Sequence, residues 1–147
     1  MLRRSIRELC FEDHGDDPQT LDNWLANKTA ESVHAWVESA EDFCTVAVGA
    51  AGDIVGFGML SRPGELLLLY VSPEAVGKGA GYALLVAMEQ QAASWELEAI
   101  TLDSTLTARK FYERNGYESI RKSAARTDRT RTDGLSCDAM RKRLHTD

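Results

Sequence analysis

The chain has 147 residues, 44% hydrophobic and 27% charged, which fits one globular domain (1–147) and excludes disordered, collagen-like and coiled-coil classes. Its longest uninterrupted apolar run, Tyr82 to Met88, falls far short of the roughly 20 residues a membrane span requires. A net charge of −6 makes it a poor candidate for nonspecific nucleic-acid binding, which depends on neutralising phosphates.

Arg3, Arg4 and Arg7 imitate the start of a signal peptide, but the polar stretch from Glu8 to Asp22 supplies no apolar core. The chain is therefore expected to be soluble, unexported and cytoplasmic. Cys10, Cys44 and Cys137 are an odd number without CxxC spacing, which fits reduced, partly buried thiols. His14, His34 and His145 show no metal-ligand spacing, so no metal site is expected. The run Glu12–Asp17 around His14 reads as a solvated acidic loop.

A short strand is expected near Ser5–Leu9, followed by two helices. Thr20 is read as the cap of a helix through Asn27, and Thr29 as the cap of another through Ser39. Trp24 and Trp36 fall among apolar residues at helical spacing and read as packing residues. From Asp42 the period changes. Strands over Phe43–Val48 and Ile54–Leu60 flank a glycine-bearing hairpin turn at 49–53. Arg62-Pro63-Gly64 marks the next turn, and Glu65–Val71 is apolar on both faces, the pattern of a strand in the sheet centre. Strict alternation places Glu65 on the face of Leu67, Leu69 and Val71.

The segment Ser72-Pro73-Glu74-Ala75-Val76-Gly77-Lys78-Gly79-Ala80-Gly81 then leads into an amphipathic helix ending near Trp95, with Leu84, Leu85, Met88 and Ala92 inward. A strand near Glu98–Asp103 follows, then a helix over Leu106–Arg114 stopped by Asn115-Gly116. Tyr117–Lys122 and Leu135–Leu144 are the last strand candidates. Hairpins first and one strand–helix–strand crossover later define an α/β or α+β sandwich in one domain.

Glycines between a buried strand and a helix allow two readings. One is a tight turn packing helix on strand. The other is a phosphate cradle, because a helix start offers free N–H groups and a positive dipole end. Three alternating glycines with Lys78 exceed what a turn needs. A P-loop is excluded, since Lys78 precedes Gly79 and no hydroxyl follows. A dinucleotide fingerprint is excluded by Tyr82 and Leu84 where a small residue is required.

Tyr70-Val71-Ser72-Pro73-Glu74, Gly77-Lys78-Gly79-Ala80-Gly81 and Ala83-Leu84-Leu85 resemble the acyl-CoA-binding motif of the GNAT superfamily of N-acetyltransferases. Ala108-Arg109-Lys110-Phe111-Tyr112-Glu113-Arg114-Asn115-Gly116-Tyr117 is similar to its second motif, and Met140-Arg141-Lys142-Arg143-Leu144 to its closing strand. The chain departs from the pattern at Val76, where Gln or Arg is usual, and at Thr105, where Asn is frequent.

The resemblance implies a central mixed, mostly antiparallel sheet flanked by helices, and acetyl transfer from acetyl-CoA to an amine. It also implies that the strand ending at Val71 splays from its neighbour. Val71, Val76, Gly77, Lys78, Gly79, Ala80, Gly81, Tyr82, Thr105, Ala108 and Tyr112 are its expected acyl-CoA contacts. The Val71 N–H is the expected oxyanion donor and Tyr112 the general acid, since a phenol of pKa about 10 is protonated at neutral pH. The general base is open: Glu65, a water chain or the free-amine fraction, and Asp103 or the Glu12–Asp17 cluster are the alternatives.

Among residues 1–108, 6 Lys/Arg stand against 17 Asp/Glu, a balance that favours a cationic acceptor. A peptide N-terminus, a polyamine, an aminoglycoside and a small amine all remain open, as does the choice of monomer or homodimer. A silent acyl-CoA sensor and an unrelated phosphate-binding domain are the competing functions.

Overall fold

In a computed structural model, residues 1–120 and 137–144 are described. The N-terminal region is helical throughout: α1 (Leu2–Leu9), α2 (Phe11–His14), α3 (Pro18–Leu25) and α4 (Ala30–Glu38). The strand expected near Ser5–Leu9 is thus replaced by α1. Its residues follow a helical stripe: Ile6 and Ser5 are buried, Arg3, Arg4, Arg7 and Glu8 are exposed, and Arg4 reaches Glu8 one turn on at 2.9 Å. The start of α3 also differs. Pro18 occupies its first turn, and Asp17, not Thr20, is the cap, accepting the Thr20 N–H at 2.9 Å. Thr29 caps α4 as expected, accepting the Ser32 N–H at 3.1 Å.

His14 is buried, which corrects the reading of a solvated loop. Its Nδ1 accepts the Asp16 N–H at 2.9 Å, so the proton sits on Nε2, 3.1 Å from the Ile6 carbonyl and 3.2 Å from that of Arg7. The imidazole ties α2 to the end of α1. Trp24 packs with Ile6, Cys10 and Leu25 in the same small core, and Trp36 rests against Phe57, Met59 and Leu68.

The strands are β1 (Asp42–Val48), β2 (Ile54–Ser61), β3 (Glu65–Val71), β4 (Ala99–Ser104), β5 (Glu118–Ser119) and β6 (Asp138–Arg143). They form one six-stranded sheet in the order β1-β2-β3-β4-β6-β5. Among the described strands only β3 and β4 pair in parallel, and the crossover between them carries a 3-10 turn (Pro73–Ala75) and α5 (Ala80–Ser94). A short α6 (Arg109–Arg114) follows β4 and starts later than the expected Leu106. Arg121 and Lys122 of the expected strand Tyr117–Lys122, Leu135 and Ser136 of the expected strand Leu135–Leu144, and His145 lie outside the described residues.

The larger core lies between the sheet and α5. Leu84, Leu85, Met88 and Ala92 meet Leu60, Leu66, Ile100, Leu102 and Met140. Each such side chain contributes about 1.5–3 kcal/mol by leaving water, so this face fixes α5 on the sheet. The opposite face is covered by α1, α3 and α4 through two smaller clusters. Among the described residues, no helix is long and apolar enough to cross a membrane.

Candidate functional site

The site begins with a fault in β3. Met59 pairs with Leu68 and the next residue, Leu60, pairs with Leu66, so Leu67 is an extra residue, a β-bulge. The bulge breaks the two-residue alternation. Leu66, Leu69 and Val71 all pack toward α5, whereas Leu68 and Tyr70 face the N-terminal helices. Glu65, adjacent to Leu66, therefore stands on the face opposite Leu69 and Val71, which corrects the alternation expected above.

Beyond the bulge, β3 leaves its parallel neighbour. It pairs with β4 only at Glu65–Thr101 and Leu66–Leu102, although β3 continues to Val71. The Ser72 N–H bonds to the Val55 carbonyl at 2.8 Å, on the β2 side. Ladder alternation then turns the N–H groups of Val71 and Leu69 the other way, into the gap left by β4. Leu69 carries no side-chain signal of this, and the sequence did not single it out.

A cleft of about 590 Å³ occupies the gap. Val71, Val76, Gly77, Gly79, Ala80, Gly81, Tyr82, Thr105, Ala108 and Tyr112 line it, ten positions named from sequence. Lys78 does not; its side chain is exposed, and its N–H bonds to the Ala75 carbonyl at 3.2 Å. Glu65 is not a lining residue either, because it opens β3 at the end away from Val71. The sequence missed Ser5, Leu9 and Cys10 on α1, along with Thr107 and Arg114. The helical stripe of α1 was the signal that would have found the first three.

Gly77 and Gly79 have φ of +77° and +88°, a region side chains rarely adopt, and a Cβ at either would meet no atom within 4 Å. The backbone there faces open space at the cleft mouth. Gly79 caps α5, so the N–H groups of Ala80, Gly81 and Tyr82 have no acceptor within the helix and point out of its positive end. This backbone fits the phosphates of an acyl-CoA. Gly81 differs: a Cβ there would sit in ordinary contact with the Phe111 ring at 3.4 Å, so this position faces α6 and not open space.

Tyr112 is delivered by α6. Its ring meets Phe111 and Tyr117 edge-on, with centroids 5.3 and 5.6 Å away. Burial pushes its phenol well above the usual tyrosine range, so it holds its proton. The loop before α6 is organised by Thr105, whose hydroxyl oxygen accepts the Ala108 N–H at 3.2 Å. It is also held from outside. Asp13 accepts the Leu106 N–H at 2.7 Å, the Thr107 N–H at 3.1 Å, and the Thr107 hydroxyl. Both oxygens of this carboxylate are committed to the loop. On α1, Arg4 pairs with Glu74 beside the glycine segment. The α1–α2 segment thus meets both sides of the cleft, the loop through Asp13 of α2 and the glycine segment through Arg4 of α1.

Comparison with known proteins agrees with this geometry. The profile of the acetyltransferase (GNAT) domain family matches residues 13–144, and the chain belongs to that family. Among solved structures, a GCN5-related N-acetyltransferase from Rhodopseudomonas palustris superposes with a TM-score of 0.79 at 24% identity, covering 97% of this chain and 84% of that one. The PaiA N-acetyltransferase of Thermoplasma acidophilum, solved with coenzyme A, gives 0.76 at 19% identity, covering 97% and 90%. An aminoglycoside 6'-N-acetyltransferase complexed with coenzyme A gives 0.65 at 18%, covering 90% and 94%. These likenesses establish the six-stranded mixed sheet flanked by helices as the family's fold. No curated protein sequence matches the chain.

Proposed function

We propose that the protein transfers an acetyl group from acetyl-CoA to an amine by direct attack. The observation that carries this is the β3–β4 gap, into which the Val71 N–H points beside a bare helix start and a buried tyrosine. The N–H groups of Ala80, Gly81 and Tyr82 hold the pyrophosphate, and exposed Lys78 adds positive field at its edge. Val76, Thr105 and Ala108 flank the pantetheine arm. Acetyl-CoA supplies an activated thioester.

The Val71 N–H stabilises negative charge developing on the thioester oxygen, a contribution typically about 2.7–4 kcal/mol. Leu69 N–H, turned the same way, is the second donor available. Tyr112 gives its proton to the departing sulfur; it lines the cleft together with Val71, and its phenol carries the proton at neutral pH.

Among the described residues, no carboxylate or imidazole lines the cleft. Asp13 is occupied by the loop, and Glu65 stands at the far end of β3. The attacking amine therefore enters uncharged or loses its proton through water. The acidic balance of residues 1–108 is a surface property and does not extend into the described wall of the cleft.

The test is thermal-shift titration with acetyl-CoA, then thiol release over a panel of a peptide, spermidine, an aminoglycoside and simple amines. A ligand that binds only the folded state at about 100 times Kd adds roughly 2.7 kcal/mol. We expect both stabilisation and amine-dependent thiol release. Stabilisation without release for any amine would favour the sensor reading, and no stabilisation at millimolar acetyl-CoA would overturn the acyl-CoA assignment.

A further inference from the structure

We infer that the outer edge of β1 docks a second copy of this chain, the two β1 strands pairing antiparallel about a twofold axis at Val46. The inference stands apart from the acyl-transfer reading, because β1 lies beyond β2 on the side away from the β3–β4 gap. Among the described strands, β1 pairs with β2 alone. It is seven residues long, whereas β5 at the opposite edge has two. Proteins blunt a long edge with charge, proline or a bulge. From Phe43 to Val48 there is no charged residue and no proline. The one irregularity falls on the neighbour. Ala47 pairs with Gly56 and Val48 with Ile54, so Val55 is the extra residue and β1 keeps a regular pleat.

The direction of the edge groups follows from two fixed points. The Glu41 carbonyl accepts the Arg62 N–H at 2.9 Å, and the Gly49 N–H reaches the Asp53 carbonyl at 2.8 Å. Between them, ladder alternation turns the peptide groups of Phe43, Thr45 and Ala47 toward β2 and those of Val46 and Val48 outward. The side chains of Val46 and Val48 are 45% and 61% exposed. Ile54 of β2 and Val37 of α4, which flank Val46, are exposed as well. A hydrogen-bonding edge and an apolar strip thus run side by side, the two features a docked strand uses.

The charge along this strip favours a second copy over a foreign strand. α4 leads through residues 39–41 into β1, so its end lies at Asp42, while its start, Thr29 and Ala30, shares a hollow of about 780 Å³ with Val46 and Ile54. Arg3, Arg4 and Lys28 line that hollow, and among the described residues no carboxylate does. Arg4 pairs with Glu8 and Glu74. Exposed Arg3 bonds to the neutral carbonyls of Leu25 and Lys28, so no described carboxylate balances its charge. The far end of the strip is acidic, with Glu38 and Glu41 exposed and Asp42 beside them. Under a twofold axis at Val46, that residue faces its own equivalent, Cys44 faces the partner's Val48 and Asp42 the partner's Ala50. The acidic end of each copy then lies along the basic end of the other. The exposed valines cover one another, and no like charges stand opposite within the paired strands.

The experiment is sedimentation equilibrium up to millimolar chain concentration on wild type, Val46→Lys, Val46→Glu and Val48→Lys, with folding checked by circular dichroism. Wild type should be a dimer whose melting temperature rises with chain concentration. Val46→Lys and Val46→Glu each set two like charges against one another at the axis, and should weaken the dimer roughly tenfold or more. Mixed in equal amounts, these two variants should pair again, since opposite charges then meet at the axis. Val48→Lys removes apolar cover beside the axis and should weaken the dimer in the same direction, which keeps a test in hand if a Val46 variant does not fold.

A wild type that stays monomeric at millimolar concentration overturns the inference. A dimer indifferent to a folded Val46 or Val48 variant overturns it too, as does a mixture of the folded Val46 variants that fails to restore pairing.

Discussion

The carboxylate of Asp13 receives both the backbone N–H and the hydroxyl of Thr107, a residue 94 positions further along the chain. With the Leu106 N–H, this makes one acidic side chain the outer anchor of the loop carrying Thr105 and Ala108. Asp13→Ala should free that loop. The expected loss, roughly 1–2 kcal/mol of ordering, reads as about 5- to 30-fold weaker acetyl-CoA binding by calorimetry. Asp13→Asn, which keeps one accepting oxygen, should fall between. Equal affinity in folded Asp13→Ala would show that the loop orders itself.

Tyr112→Phe separates proton donation from packing. The substitution retains the ring between Phe111 and Tyr117 and removes only the O–H. An acid role predicts a kcat loss of about 10²–10⁴-fold with little change in acetyl-CoA affinity. The deficit should shrink for a donor with a more acidic leaving thiol. Unchanged kcat on acetyl-CoA with an intact fold would remove Tyr112 from the mechanism.

The glycines divide by backbone geometry. Gly79→Ala places a side chain at φ +88°, a strain of about 1–2 kcal/mol, and projects it into the open mouth where phosphate would sit. Lower melting temperature and weaker acetyl-CoA binding are expected together. Gly81→Ala meets the Phe111 ring and the Val71 side chain at ordinary contact distances inside the first turn of α5. It should hold or raise the melting temperature, since Ala favours the helix by roughly 1 kcal/mol. Equal melting-temperature losses at the two positions would contradict this division.

Asp17 gives a pH signature. Its hydrogen bonds from Thr20, side chain first and backbone second, hold its carboxyl below the ordinary aspartate range. A lowered folded-state pKa means the contribution is fully present above the unfolded value, about 3.9, and disappears as pH falls through the lower folded value. Asp17→Ala should therefore melt below wild type at pH 7. The two curves should converge in acid. A gap that persists unchanged to pH 2 would mean the cap does not act through its charge.

Cys10 should be the slowest thiol. Burial, helped by Asp13, pushes it up to about 12, so thiolate is scarce at pH 8. Cys44 and Cys137 are only half-buried. Ellman's reagent at pH 8 should find Cys10 last, on the timescale of unfolding. Because the folded-state value is raised, its contribution to stability is present below the unfolded thiol's pKa of about 8.5 and declines as pH rises above it. Rapid labelling of Cys10 in the native protein would show that α1 opens readily.

Where the sequence carried side-chain signals, ten of the positions it named line one cleft. The glycines and Tyr112 are among them, visible as letters. The bounds of β3 follow equally well from its flanking turn and its apolar run. Backbone relationships were less legible. The extra residue at Leu67 leaves no mark in a run of four leucines, so the faces of Glu65 and Leu69 could not be assigned by alternation. Asp13 looked like one acid among several, because its value comes from a loop brought to it by folding. The N-terminal helix was masked by its short length and mixed polarity, although Leu2, Ile6 and Leu9 have helical and not strand spacing.

The bulge in β3 makes the strand two rulers joined out of phase. One half measures the contacts with β4 and the other sets Leu69, Tyr70 and Val71 around the gap. Lengthening the chain by one residue in the hairpin turn between β1 and β2 leaves both rulers aligned. Deleting Leu67 would bring them into register: Leu66, Leu69 and Val71 would keep one face and Leu68 and Tyr70 the other in regular alternation, and β3 could stay beside β4 past Leu66. The strand would gain regularity and lose the opening. Tolerance to insertion and deletion should accordingly collapse at this one position, in a segment whose individual leucines accept conservative replacement.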